Sequence, residues 1–311
     1  MQSDADIVRP LFNSIHICYH TKNVMKTMIS LLLLIAASAA LAQESKPVVP
    51  ASADTSWKHT MIISANLTQI SFTDWSQGGE NALAYALFLE GKSAYAKDVI
   101  EWVNEYKFGY GQAKLGTQSI RKTDDIIDLG SVITYKIGTI INPYASVSLE
   151  TQFTEGDTYD AAGHDVPVSN FFDPAYIIQS AGVGYQPGPD VKTRLGAAVR
   201  ETIAKTFAGK YTDDLTTTSE VEKLRIEFGV ESVTEVGWTV MENVVLNAKL
   251  EIFAPVMHFD RTSVRSDNTL SAKVNKFLSM NLNVCLINDP QVQARTQIKQ
   301  TLALGFSYML M

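Results

Sequence analysis

The sequence predicts an all-β fold: a transmembrane antiparallel β-barrel of about twelve strands, connected up and down in one domain over residues 57–311. Three observations predict it. Hydrophobicity alternates with a period of two over most of the chain, short turns alternate with longer polar stretches, and aromatic residues gather near one end of the strands.

The alternation is clearest from Arg225 to Ala254. Ile226, Phe228, Val230, Ser232, Thr234, Val236, Trp238 and Val240 form one mostly apolar set, and the residues between them are charged or small. After Met241-Glu242-Asn243, the residues Val244, Leu246, Ala248, Leu250, Ile252 and Ala254 resume the apolar face, with Asn247, Lys249 and Glu251 on the other. A period of two over this length predicts a long hairpin with one apolar and one wet face. If Val240 and Val244 flank the turn, Trp238 stands opposite Leu246, Gly237 opposite Asn247 and Glu235 opposite Lys249.

Taken in order, residues 1–24 read as an upstream mis-start or discarded segment, and residues 25–42 as a secretory signal peptide. Lys26 supplies the charge, Leu31 to Ile35 the apolar run, and Ala40-Leu41-Ala42 the small-x-small cleavage site, so mature protein is expected to begin at Gln43. Residues 43–56, rich in Pro, Ala and Ser, are expected to be a flexible lead-in. Only Cys285 remains after cleavage, which leaves no internal disulfide. Strands are then expected at 57–72, 82–96, 99–112, 124–137, 140–154, 175–186, 190–205, 224–240, 244–256, 268–275, 277–287 and 296–310. Turns near 97–98, 138–139, 186–190, 241–243 and 275–276 are short, and the stretches 73–81, 113–123, 155–174, 206–223, 257–267 and 288–295 are longer and polar. Short periplasmic turns opposite long external loops are the pattern of an outer-membrane barrel.

Tyr95, Tyr135, Tyr185, Trp238 and Tyr308 lie on the apolar parity near the short-turn ends of their strands. A soluble core gives no reason for that gathering, whereas a membrane interface does, because Tyr and Trp bury a ring and hydrate a polar edge there. The last strand sets Ile298, Leu302, Leu304, Phe306, Tyr308 and Leu310 against Lys299, Thr301, Ala303, Gly305 and Ser307, but ends in Leu310-Met311 without a terminal aromatic.

Local patterns add a resemblance. Asp74-Trp75-Ser76-Gln77-Gly78-Gly79-Glu80-Asn81, Trp102-Val103-Asn104, Lys122-Thr123-Asp124-Asp125, Phe172-Asp173-Pro174-Ala175-Tyr176 and Met241-Glu242-Asn243-Val244 follow one another in this order. Together they resemble an uncharacterised family of Bacteroidota and green-sulfur-type bacteria, a domain of unknown function, over about residues 57–310. The resemblance implies an outer-membrane β-barrel and supplies no substrate or catalytic residue.

The wet face holds Glu101, Glu105, Lys107, Glu150, Lys192, Arg194, Arg200, Arg225, Glu227, Glu231, Glu235, Lys249, Glu251, Lys273 and Lys299, which are expected to line the lumen. A Lys or Arg facing lipid at mid-membrane costs about 2–4 kcal/mol, so these groups belong inside. Mixed signs fit either a structural network filling the lumen or a path for small polar solutes. The functional expectation is therefore a pore or transport-related barrel. The alternative is a non-conducting structural or surface-binding barrel. Expected partners are membrane lipid, the barrel assembly machinery and a small polar solute. A formal charge of -7 without basic clusters argues against nucleic acid.

No enzyme is expected. Of the histidines after the signal, His59 lies at the periplasmic start of the first strand on the parity of Trp57 and reads as interfacial, His164 and His258 fall in expected loops with no spaced Ser or acidic partner pattern, and no phosphate loop, zinc spacing or EF-hand ligand set occurs. Asp157, Asp160 and Asp165 read as a solvated acidic loop rather than a calcium site, so neither metal nor cofactor is expected. Gly78-Gly79 with Trp75 reads as a tight loop at the rim.

Overall fold

The computed structural model describes residues 57–71, 80–161, 163–213, 220–275 and 278–309, with 306–309 as backbone only. The signal and lead-in segments, Trp75 with Gly78-Gly79, Lys276 and the Tyr308 side chain lie outside the described residues.

Twelve strands close into one antiparallel barrel. They are β1 (Lys58–Ile70), β2 (Ala82–Lys97), β3 (Ile100–Leu115), β4 (Arg121–Tyr135), β5 (Ile141–Thr151), β8 (Ala175–Tyr185), β9 (Val191–Ile203), β10 (Leu224–Met241), β11 (Val244–Pro255), β12 (Ser263–Lys273), β13 (Leu278–Asn288) and β14 (Gln297–Met309). Each pairs with its sequence neighbour in the barrel, and β14 closes on β1 through pairs such as Asn66 with Gly305. Closure removes the unpaired edge that an open sheet exposes. A separate hairpin, β6 (Gly156–Tyr159) with β7 (Asp165–Ser169), rises from the connection between β5 and β8.

The outer wall is apolar because the period of two in each strand keeps one parity there. Leu67, Leu87, Val147, Leu195, Phe228, Leu282 and Leu302 are all exposed, the last at 71%. A soluble protein hides such residues, whereas hydrocarbon accepts them. Near the short turns, Tyr135, Tyr185 and Trp238 are exposed on this wall. Tyr95 stands opposite Trp102, and Trp57 joins both rings at 5.3 Å, so two tryptophans stand with the expected aromatics on this wall among the described residues.

The hairpin register agrees with expectation: Trp238 faces Leu246, Gly237 faces Asn247 and Glu235 faces Lys249. The turn itself is tighter than expected. Met241 pairs with Val244 after a register shift beyond Thr239, which leaves Glu242-Asn243 as a two-residue turn and a bulge at Val240. In the turn after β2, Asp98 adopts a φ of 51°, a left-handed conformation that Asp tolerates better than most residues.

Four boundaries differ from the sequence reading by three residues or more. The tenth barrel strand begins at Ser263 rather than 268, because Arg265, Ser266 and Asp267 continue the ladders to β11 and β13. Their polarity reads as loop, but Arg265 and Asp267 face the lumen parity, and the outward Ser266 hydroxyl accepts from Asn268 Nδ2 at 2.8 Å. The fourth begins at Arg121, the third runs on to Leu115, and the fifth stops at Thr151. Two stretches read as plain loops contain structure: the β6–β7 hairpin within 155–174, and the single turn α1 (Ala208–Tyr211) within 206–223.

Candidate functional site

The registers place all fifteen expected lumen residues on the parity opposite the exposed apolar wall. Glu101, Glu105 and Lys107 stand opposite Thr134, Gly130 and Asp128. Arg200, Arg194 and Lys192 stand opposite Glu227, Val233 and Glu235. Lys273 and Lys299 pair with Ser279 and Cys285 on the same face.

Close contacts join several of these side chains. Lys92 Nζ lies 2.6 Å from Glu105 Oε1, Lys107 Nζ 3.4 Å from Glu90 Oε1, Lys136 Nζ 2.9 Å from Glu101 Oε2, and Arg194 Nη1 3.8 Å from Glu235 Oε1. Lys249 faces Glu235 in the ladder, but its ammonium turns to Glu251 Oε1 at 2.7 Å. Glu251 is the next lumen residue on the same strand, and Lys249 also interacts electrostatically with Asp128 of β4. One cation thus serves several acids, which a pairwise ladder does not anticipate. Ser180 Oγ donates to Glu231 Oε2 at 2.5 Å and stands 3.2 Å from the Tyr144 hydroxyl. Tyr144 points inward over the cross-strand pair Gly182 and Gly196. A Cβ on Gly196 would stand 2.6 Å from the Tyr144 hydroxyl and 2.5 Å from the Ala181 carbonyl oxygen, so only glycine leaves room there.

Among the described residues, two ion pairs cross the lumen. Arg265 Nη1 of β12 contacts Glu150 Oε2 of β5, and Lys299 Nζ of β14 contacts Asp124 Oδ1 of β4. Around the barrel these partners are five and four strands apart. A circular twelve-stranded barrel measures about 24 Å between opposite backbones. An Arg–Glu or Lys–Asp pair cannot bridge that span, so the cross-section is oval, with its short axis between β4–β5 and β12–β14.

Loops fold over the long-loop end. Arg200 is 3% exposed; its Nε and Nη2 donate to Glu227 Oε2 at 2.9 and 2.7 Å and its Nη1 to Ser263 Oγ at 2.9 Å. The Phe253 ring lies 4.5 Å beneath its guanidinium. From the β13–β14 loop, Asp289 Oδ2 approaches Arg200 Nη1 at 3.6 Å and Gln291 Nε2 donates to Glu227 Oε1 at 3.0 Å. Val292 of the same loop and Phe207 pack against Ala204, Ala208 and Tyr211. Asp173 ties this cap down: its carboxylate accepts the backbone N–H groups of Lys205, Thr206 and Phe207 at 2.9, 2.7 and 3.3 Å. Burial opposes its charge, but these donors outweigh burial and hold its carboxyl below the usual carboxylate range.

Sequence reading missed Glu90, Lys92, Asp124, Asp128, Tyr144, Arg265, Asp267 and Asp289. Glu90 and Lys92 share a parity with Ala84, Ala86 and Phe88, which hides the wet face of β2. Arg265 and Asp267 fall in a stretch whose polarity reads as loop, although extending the parity of Thr269 backwards finds both. Nothing local marks Asp289, which reaches the site through loop folding.

Outside the lumen, His59 Nδ1 stands 2.8 Å from Ser93 Oγ on the outer wall, under the Trp57 ring. Among the described residues no carboxylate orients the other ring nitrogen. In the β6–β7 hairpin, Asp157 and Asp165 sit on its two strands and Asp160 Oδ2 holds His164 Nδ1 at 3.0 Å.

Several solved structures are similar to this chain at low identity. The translocator domain of the autotransporter NalP from Neisseria meningitidis is 11% identical, covering 93% of this chain and 97% of that one, with a TM-score of 0.37. An outer-membrane channel from Pseudomonas putida F1 is 9% identical over 86% and 99% of the two chains, also with a TM-score of 0.37. The NanC porin is 9% identical over 80% and 96%, with a TM-score of 0.34. At these identities and scores, none bears on function. No curated protein matches the sequence. Residues 67–156, from the end of β1 through β5, match a family model described as "Protein of unknown function (DUF3078)", a narrower span than the motifs quoted above.

Proposed function

We propose that the protein is an outer-membrane β-barrel whose lumen is a constricted path for small polar solutes, closed in the described conformation by cross-lumen ion pairs and the capping loops. The observation behind this reading is the Arg265–Glu150 bridge across the lumen of a barrel with an apolar outer wall. Twelve strands are enough for a solute-sized interior, and here that interior is filled by paired charges rather than by apolar packing. Exchangeable ion pairs can part and rehydrate, whereas an apolar core cannot do so without unfolding. Lipid surrounds the wall, and the barrel assembly machinery inserts it. The proposal includes no catalysis: the His59–Ser93 pair lacks the third group that a nucleophile–base pair needs.

A second reading, a non-conducting structural or surface-binding barrel, is favoured by the apolar packing of Val292 and Phe207 against Ala204, Ala208 and Tyr211 in the cap. Planar-bilayer recordings separate the two. The first reading expects small or intermittent currents from the natural protein and larger, steadier ones from Arg265→Ala. Silence from both, with folding verified by gel mobility, would favour the second.

A further inference from the structure

Beneath the cap, the lumen wall buries more hydrogen-bond donors than the chain fills. Thr202 and Arg225 are cross-strand neighbours on the lumen face of β9 and β10. Thr202 is fully buried, and Thr202 Oγ1, Arg225 Nε and Arg225 Nη2 are sealed from solvent without a hydrogen-bond partner among the described residues. The nearest carboxylate is already engaged. Glu227 Oε2 accepts from Arg200 and Oε1 accepts from Gln291, so Arg225 Nε reaches Oε2 only at 3.5 Å. Buried donors without acceptors are unfavourable, and a guanidinium matches a carboxylate in shape as well as charge.

Asp289 lies beside Arg200 and within electrostatic reach of Arg225, but engages neither closely. Its Oδ2 lies 3.6 Å from Arg200 Nη1, which donates instead to Ser263, and its Oδ1 accepts the Gln291 N–H at 3.0 Å. Two guanidinium groups therefore face two carboxylates of the chain, and the one supplied by the loop leaves Arg225 unsatisfied. Without the Asp289 carboxylate, one positive charge would be uncompensated beside three open donors.

We propose that Arg200, Arg225 and Thr202 form a binding site for small organic monocarboxylates at the mouth of the barrel, and that Asp289 and Gln291 occupy it as a built-in competitor. The proposal deepens the solute-path reading and rests on it for access to the mouth. A bound carboxylate supplies the oxygens that Arg225 and Thr202 lack and replaces the Asp289 charge beside Arg200. Glu227 remains in place as the partner that holds Arg200.

Calorimetric titration of the folded full-length barrel in detergent with potassium acetate, against potassium chloride at equal ionic strength, tests this. Asp289→Asn removes the competing charge and is expected to tighten acetate binding roughly tenfold. Arg225→Met in the Asp289→Asn background is expected to abolish binding, and Arg225→Lys to restore part of it. Heat-dependent gel mobility verifies that each variant is folded. Equal acetate binding by the natural protein and Asp289→Asn, indifference to Arg225→Met, or the same heats from chloride would overturn the site. Acetate binding by a barrel that is silent in bilayers would support the site and remove the solute path. Current without acetate binding would leave the path and overturn the site.

Discussion

Asp173 is a single carboxylate that holds the cap, and its chemistry sets the pH at which the cap loosens. Its folded-state acidity is strengthened by three backbone donors, so the stability it contributes is present above the ordinary carboxylate range and is lost as pH falls through its depressed folded value. The amides of Lys205, Thr206 and Phe207 are therefore expected to stay protected from hydrogen exchange at neutral pH and to open only in strong acid. Asp173→Asn should open them at neutral pH, by roughly 1.5–3 kcal/mol of local stability. Equal protection in natural and substituted protein would remove Asp173 from this role. Lys249 is the corresponding test inside the lumen. Its side chain is partly hydrated, so Lys249→Leu is expected to destabilise the barrel by about 1–2 kcal/mol, less than loss of a fully buried ion-pair partner. The control Leu246→Val, on the outer wall, should cost under about 1 kcal/mol. Urea titration in detergent checks both, and equal effects would contradict the opposite facing of the two residues.

At the scale of the strand, close approach is set by glycines rather than by propensity. Gly182 and Gly196 face each other across β8 and β9 and clear the space into which Tyr144 turns. Gly196→Ala places a Cβ against the Ala181 carbonyl and the Tyr144 hydroxyl, and should destabilise the barrel by about 1–3 kcal/mol. Gly130→Ala meets no atom within 4 Å and should be neutral or slightly stabilising. Equal denaturation midpoints for the two variants would show that the Tyr144 contact does not constrain the strands. The β12 ladder makes a related point: a strand can begin in a polar run when both neighbours offer paired backbone and the charges fall on the wet parity.

At the scale of the molecule, the barrel joins an apolar exterior to a charged interior, the reverse of a soluble protein. We predict that the protein fractionates with the outer membrane and shows heat-dependent mobility in gels, because a closed ladder resists detergent until heated. Recovery as a soluble periplasmic species would refute the membrane reading. The oval section places β4–β5 against β12–β14, so Arg265→Ala and Lys299→Ala should both widen the lumen. Each alone should raise conductance modestly and together more than either, whereas Leu246→Val should leave it unchanged.

The number of barrel strands, their facing and the β10–β11 register were legible in the sequence because each depends on local quantities. A period of two assigns every residue of a strand to lipid or lumen, and a register slip would expose Lys249 to lipid, so the pattern admits one pairing. The outward facing of Tyr95, Tyr135, Tyr185 and Trp238 was legible for the same reason. The site was not. Arg265 finds Glu150 across 115 residues of chain, Lys299 finds Asp124 across 175, and Asp289 arrives on a loop with no periodicity to read. Those meetings depend on how the closed sheet flattens and how its loops fold back, which only the tertiary structure decides. Alternation states which face a charge takes, but the choice among several acids at similar distance is made by the shape of the lumen.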